Sequence, residues 1–407
     1  MNVPDELGLP SKILVSISNP DDYRLFKRLV ALLPQIHIDF LANNLAIYIY
    51  LKARKEQVYY PRRCSPDVDP DIAETFSVKT SRLSLKAAIL SYGGYFRFFM
   101  QAYPHHKWNV VIIPSGRLAG QLGLAEAAKA WKVPMLYTGY GNVDNRIFVD
   151  SEGTDKQSKL FRNPELLDAY QPDLAAFEAW RRAYVEARKT HHPVPQAKGV
   201  GLKTYLLKLI QIGFCKIERL LGLCSENEYG LKELEKLKPV PLVLDPAPAE
   251  DLAYVFFPLQ VSTDAQVILN YDKGSLIPAL YEAVEIAKRE NLTLVVKPHP
   301  AELDQRVIDE ISALRSGLGF IMTNENTFKL IESSRLVVTI NSTVGLEAKL
   351  MQKEVVFLGK TMYASFDNKR LAAYISCYLI DEPYFSPEKK PFSVSNARKF
   401  FRRSLAY

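Results

Sequence analysis

The feature that most constrains this chain is an alternation. Short apolar runs recur between amphipathic stretches of helical period, first over residues 12–141 and again over residues 253–359. In the first region, KILVSIS (12–18), IHIDFLA (36–42), WNVVIIPSG (108–116) and VPMLYTGYG (133–141) read as strands. NPDDYRLFKRLVALLP, opened by Asn19 and Pro20, reads as a helix, as does RLAGQLGLAEAAKAWK. Continuously apolar strands separated by helices require a parallel sheet covered on both faces. The second region repeats the pattern. AYVFFPLQ, LTLVVKPHP, GFIMTN, RLVVTIN and KEVVFLG are strands, and amphipathic segments stand between them.

Between these regions the pattern changes. PELLDAYQPDLAAFEAWRRAYVEARK and LKTYLLKLIQIGFCKIERLLGL are helical, with the breaker HHPVPQAKG between them. KLKPVPLVLDPAPAEDL is rich in proline and reads as a linker. The expected organisation is therefore a Rossmann-like domain over 1–162, a helical insert and linker over 163–250, a second Rossmann-like domain over 251–375, and a basic, aromatic tail over 376–407. The fold class expected is α/β and GT-B-like, with two doubly wound domains facing a central cleft.

The 407 residues suffice for two such domains, and 48% hydrophobic with 24% charged residues is ordinary for a globular chain. No apolar run nears the roughly 20 residues that span a bilayer. The N-terminus carries no basic and apolar leader, so the expected location is the cytoplasm. Cys64, Cys215, Cys224 and Cys377 are scattered, without metal or disulfide spacing. The net charge is +7, with basic clusters at Arg24/Lys27/Arg28, Lys52/Arg54/Lys55 and Arg62/Arg63. These read as solvated surface or as attraction to an anionic ligand or membrane. The tail ARKFFRRSLAY suits a short interfacial contact, which would place the protein peripherally on the inner membrane. No nucleic-acid module is present, so no nucleic-acid partner is expected.

Three strand ends of the second region are rich in polar residues. After FFP come Gln260, Ser262, Thr263 and Asp264. VVKPHP holds Lys297 and His299 between prolines, which fixes a polar group for a phosphate or a leaving group. In INSTVGLEA, Asn341, Ser342 and Thr343 stand where a strand turns into a helix, a ready anion site. Gly345 would let a ligand approach the backbone, and Glu347, on the face of Thr343, could accept from ribose hydroxyls. Each has a plainer reading: Ser342 or Thr343 as a helix cap, Glu347 as exposed surface, His299 as a core imidazole. Asp264 could be a helix cap, a general base or a covalent nucleophile. No phosphate-loop or dinucleotide fingerprint occurs.

PLQVSTDAQV, KPHP and INSTVGLEA, in this order over about residues 254–360, resemble the capsule polysaccharide biosynthesis family, which includes bacterial β-Kdo glycosyltransferases. The resemblance implies a GT-B fold, a CMP-activated ulosonic acid as donor, an oligosaccharide or glycolipid acceptor, and no further cofactor or metal. It implies Asp264 as nucleophile, His299 on the donor phosphate or carboxylate, Ser342 and Thr343 at the CMP phosphate, and Glu347 near the ribose. Gln260, Lys297, Asn341 and Gly345 complete the implied donor site. More weakly, GYGNVDNRIFVDSEGTDKQS resembles the family's first-domain loop, which points to Gly139, Asn142, Asp150 and Glu152 on the acceptor side. The family's glutamate before this loop is replaced here by Tyr137-Thr138-Gly139, leaving Asp144, Asp150 or Glu152 as substitutes. A CDP-glycerol or CDP-ribitol polyol-phosphate transferase and a non-catalytic capsule-assembly partner are the alternative readings.

Overall fold

The computed structural model describes residues 9–68, 70–190, 202–230, 243–302, 304–386 and 390–405. The HHPVPQAKG breaker and the start of the proline-rich stretch lie outside the described residues. The chain forms two compact units. One comprises Met1–Leu167, Leu209–Gly230 and Tyr374–Tyr407; the other comprises Asp168–Lys208 and Leu231–Ala373.

In the first unit, β1 (Lys12–Ile17), β2 (His37–Ala42), β3 (Val58–Tyr59), β4 (Val110–Pro114), β5 (Met135–Tyr140) and β6 (Ile147–Asp150) form one sheet in the order β3-β2-β1-β4-β5-β6. All neighbours are parallel except β6, which runs antiparallel to β5. The helix Pro20–Val30 starts as its sequence dictates. Asn19 accepts from the backbone N–H groups of Asp21 and Asp22, and proline occupies the first turn. It buries Leu25, Phe26 and Leu29 against one sheet face. On the other face, Leu85–His106 and Ala119–Ala130 pack closely. A Cβ at Gly123 would lie 2.2 Å from the Tyr92 carbonyl oxygen, so only glycine allows that approach.

The second unit holds β7 (Tyr254–Pro258), β8 (Thr293–Lys297), β9 (Ile321–Met322), β10 (Leu336–Thr339) and β11 (Val355–Phe357). Their order is β11-β10-β7-β8-β9, all parallel. The helix Leu276–Arg289 fills one face with Ala279, Leu280, Ala283 and Val284, and Thr327–Ser333 fills the other through Leu330 and Ile331. Strand order reverses between β7 and β10 here, and between β1 and β4 in the first unit. In open α/β sheets, ligands sit beyond the carboxyl ends of strands at such reversals.

Two expectations read differently in the structure. The helical segment expected as an insert is divided: Leu174–Thr190 goes with the second unit, and Leu209–Gly230 with the first. The basic, aromatic tail is not a surface appendage. Its helix, Val394–Arg402, turns Ala397, Phe400 and Phe401 into the first unit's core, all at or below 1% exposure. Arg28 belongs to the same junction rather than to a basic surface. Its guanidinium is buried, donates to the carbonyls of Lys390 and Pro383, and lies 5.2 Å from the Phe392 ring. Apolar residues at helical spacing sought a core, and the charged ones at the edges kept their head groups in water or paired.

Candidate functional site

The three polar strand ends of the second unit differ in their availability. Gln260 and Asn341, buried beyond β7 and β10, hold one another. The Gln260 amide nitrogen donates to Asn341 Oδ1 at 3.2 Å, and the Asn341 backbone nitrogen donates to Gln260 Oε1 at 3.3 Å. The Asn341 amide also donates to the Gln266 carbonyl at 2.9 Å. These two side chains brace the strand reversal from beneath.

Asp264 caps the short helix Ala265–Asn270, accepting from the Gln266 N–H at 2.8 Å. The cap uses one carboxylate oxygen and fixes the group at the end of β7. His299 follows β8. Its Nδ1 accepts from the Ala301 N–H at 3.1 Å, so the neutral ring carries its proton on Nε2. Burial draws the imidazole below its ordinary value, while the charges of Asp264 and Glu302 act in the other direction. Asp264, His299 and Glu302 thus form one electrostatic cluster. Glu302 accepts from the Ser262 N–H at 2.6 Å and the Asp304 N–H at 2.9 Å, tying the β7 loop to the β8 loop. The sequence reading missed Glu302; Pro300-Ala301-Glu302 carries no pattern to separate it from a surface turn. Lys297 is half-buried and donates to the Glu325 carbonyl at 2.6 Å. Burial lowers its proton affinity, opposed by the Glu325 charge.

At the third strand end, Ser342 caps Thr343–Leu350 by accepting from the Val344 N–H at 3.2 Å, while Thr343 is exposed. Gly345 has a role other than the one expected. A Cβ there would lie 2.3 Å from the Phe357 ring, so the glycine serves helix-to-strand contact rather than ligand approach. Glu347 accepts from the Tyr184 hydroxyl at 3.4 Å, and Tyr184 sits on Leu174–Thr190.

In the first unit, the loop residues expected on the acceptor side are largely structural. Gly139 is half-buried in β5, and Asn142 takes a left-handed backbone with φ of 61°. Asp150 is 2% exposed and accepts from the N–H groups of Glu152, Gly153, Lys159 and Leu160 and from the Tyr378 hydroxyl. Its carboxylate organises the loop, and these donors offset its burial. Glu152 pairs with Arg162, and Asp144 is exposed.

A different carboxylate stands out. Glu226 accepts from the Ser18 hydroxyl at the end of β1. Ser18 also accepts from the Asn43 amide at 3.0 Å, and its carbonyl accepts from Asn44 at 2.8 Å. Burial pushes Glu226 up to about 7, with the Asp22 charge adding to the rise and Ser18, Arg82 and Asn44 opposing it. Nothing in the SEN tripeptide of residues 225–227 marks it in the sequence, because the chain brings it there from a segment far from the sheet. Among the described residues no group of three or more His, Cys, Asp or Glu side chains is arranged to hold a metal. No described helix is long and apolar enough to cross a membrane.

Two Rossmann-type units in one chain, with polar strand ends in each, define a GT-B-like α/β protein. Residues 244–366 match the capsule polysaccharide biosynthesis protein family. The matched segment contains Asp264, His299 and the Asn341–Ser342 strand end. Protein FixF of Sinorhizobium fredii (strain NBRC 101917 / NGR234) is 38% identical over 117 residues, which is 28% of this chain and 28% of that relative's length. Among solved structures, Thermosulfurimonas dismutans KpsC, β Kdo 2,4 transferase, is similar with 16% identity and a TM-score of 0.45, over 73% of this chain and 88% of that one. The β Kdo 2,7 transferase of the same KpsC gives 13% identity and a TM-score of 0.40, over 96% of this chain and 98% of that one.

Proposed function

We propose that the protein is a glycosyltransferase that moves Kdo, or a related ulosonic acid, from its CMP derivative to a bacterial surface polysaccharide or glycolipid. The observation that carries this reading is the family match over residues 244–366, which encloses a capped, fixed Asp264 beside a His299 with Nε2–H available. The Asp264 carboxylate attacks the anomeric carbon as the bond from that carbon to the CMP phosphate breaks. CMP leaves with both bonding electrons. His299, through Nε2–H, and the Ser342/Thr343 helix start receive the developing phosphate charge. An acceptor hydroxyl then attacks the same carbon, releases Asp264 and gives up its proton, so configuration is retained overall. That proton passes to solvent.

The test is incubation with CMP-Kdo and mass spectrometry of the intact chain, followed by NMR of the product. A Kdo adduct mapped to Asp264 and a retained anomeric centre support the reading. Full transfer by Asp264→Asn overturns it, as does turnover of CDP-glycerol but not of CMP-Kdo.

A further inference from the structure

Two large rings stand open at the carboxyl end of β5. Tyr140, the last residue of that strand, is 53% exposed, and Phe385 is 55% exposed. Their centroids lie 4.9 Å apart, with planes tilted by 34°. Tyr384 supports both from beneath. It is 9% exposed, meets the Tyr140 ring edge-on at 4.6 Å and lies 5.3 Å from the Phe385 ring. All three residues belong to the first unit.

The surrounding chain fixes these rings. Ile380 and Ile147 exchange two backbone hydrogen bonds of 2.9 Å, and Ile147 stands opposite Tyr140 in the sheet. The buried Arg28 guanidinium donates to the Pro383 carbonyl at 2.8 Å. The Tyr384 hydroxyl donates to Asp22 Oδ1 at 2.9 Å, and Asp22 Oδ2 accepts from the Ser18 N–H at 3.0 Å. Tyr384 is therefore tied to the end of β1, beside the strand reversal where ligands of open α/β sheets sit. Rings held in this way lose little freedom when something binds on them.

The chemistry around the rings selects the ligand. An aromatic face carries negative charge density and attracts the polarised C–H groups of a sugar ring. Two half-exposed rings offer far less than the roughly 800 Å² that each side of a stable protein interface buries. A few aromatic side chains with hydrogen-bonding groups at their rim are the make-up of a small-ligand site. The charges at this rim cancel in pairs, Arg24 with Asp21 and Arg146 with Asp381. Asp22 adds a negative charge that acts on the Tyr140 hydroxyl. That balance disfavours an anionic sugar.

We propose that Tyr140 and Phe385 form a stacking platform for an uncharged pyranose ring of the saccharide acceptor. That the ligand is a saccharide rests on the transferase reading; the platform rests on the geometry of the rings.

The experiment is saturation-transfer-difference NMR of the full chain with methyl glucoside, methyl galactoside, methyl N-acetylglucosaminide and glucuronate, without CMP-Kdo. At least one methyl glycoside should gain saturation, strongest on the C–H groups of one ring face, and glucuronate should gain the least. Tyr140→Ala and Phe385→Ala should each weaken that binding about ten-fold, whereas Tyr140→Phe should keep most of it. If the alanine variants unfold, Phe385→Leu, which keeps the apolar bulk and loses the aromatic face, carries the same expectation. No saturation of any methyl glycoside overturns the proposal. So does binding that the ring variants leave unchanged, or glucuronate bound as well as the neutral sugars. A dimer broken by Tyr140→Ala, with no glycoside bound, would assign the rings to a second copy instead. The two readings fail separately. A Kdo adduct on Asp264 without glycoside binding removes only the platform, and glycoside binding without an adduct removes only the transferase reading.

Discussion

Gln260 and Asn341 exchange hydrogen bonds across the strand reversal of the second unit, side chain to side chain at 3.2 Å and backbone to side chain at 3.3 Å. Both are buried, so removing one leaves the other's polar atoms without water. Asn341→Ala should destabilise the second unit by about 1–3 kcal/mol, read as a lower midpoint in urea. Gln260→Leu should cost a similar amount, and the double variant less than the sum, because the two side chains share partners.

Gly345 and Phe357 make a second, steric test. Gly345→Ala would gain about 1 kcal/mol in helix propensity. It would also drive a methyl group into the Phe357 ring, and overpacking of that kind costs typically about 1–3 kcal/mol. A net loss of stability is expected by calorimetry. Adding Phe357→Leu should recover most of it; a Gly345→Ala chain as stable as the parent would refute the steric account.

Asp264 has two separable duties. Asparagine caps helices as well as aspartate does, so Asp264→Asn should keep the thermal midpoint within about 0.5 kcal/mol of the parent. Transfer from CMP-Kdo should nonetheless fall by about 1,000-fold or more if the carboxylate is the nucleophile. Asp264→Ala should lose both the cap and the activity. Equal loss of stability in the two variants would show that the cap does not account for the difference.

Glu226 gives a pH signature. Its carboxyl binds a proton up to about pH 7 when folded, against an ordinary value of 4.5. Between these values the folded chain holds more protons than the unfolded one, so the contribution to stability falls as pH rises through that window. Glu226→Gln mimics the protonated acid. At pH 8 it should be more stable than the parent by about 1–3 kcal/mol, and the difference should vanish below pH 4.5. His299 shifts in the opposite sense, its burial favouring the neutral ring, so the comparison must be made between the two proteins at each pH rather than from one curve.

The parts of this molecule that were legible in the sequence are those where local pattern and tertiary role agree. VVIIP, YVFFP and LVVK are apolar on both sides because their sheets are covered on both faces, and each is a strand. Asn19-Pro20 and Asn341-Ser342 announce helix starts that the structure contains. Two strands escaped. β3 has only two residues, and β6 runs against its neighbour inside a loop-like stretch, so neither carries a period. Residue roles were harder to read than elements. Gly345 is explained by Phe357 from another strand, Asp150 by N–H groups that its own loop folds back, and Glu226 by Ser18 from more than half the chain away. None of these pairings leaves a trace in the spacing of one sequence.

The burial of Phe400 and Phe401 beside Leu25 and Phe26 has a consequence for the order of events at the ribosome. The strands and helices between Tyr254 and Phe357 form a nearly contiguous stretch whose contacts close as it emerges. The first unit, although its sheet is made earlier, must hold an incomplete core while the second is synthesised. It can finish only when the helix Val394–Arg402 arrives. The unit whose sheet is translated earlier is therefore the one that matures later, and during that interval its apolar surface stays exposed.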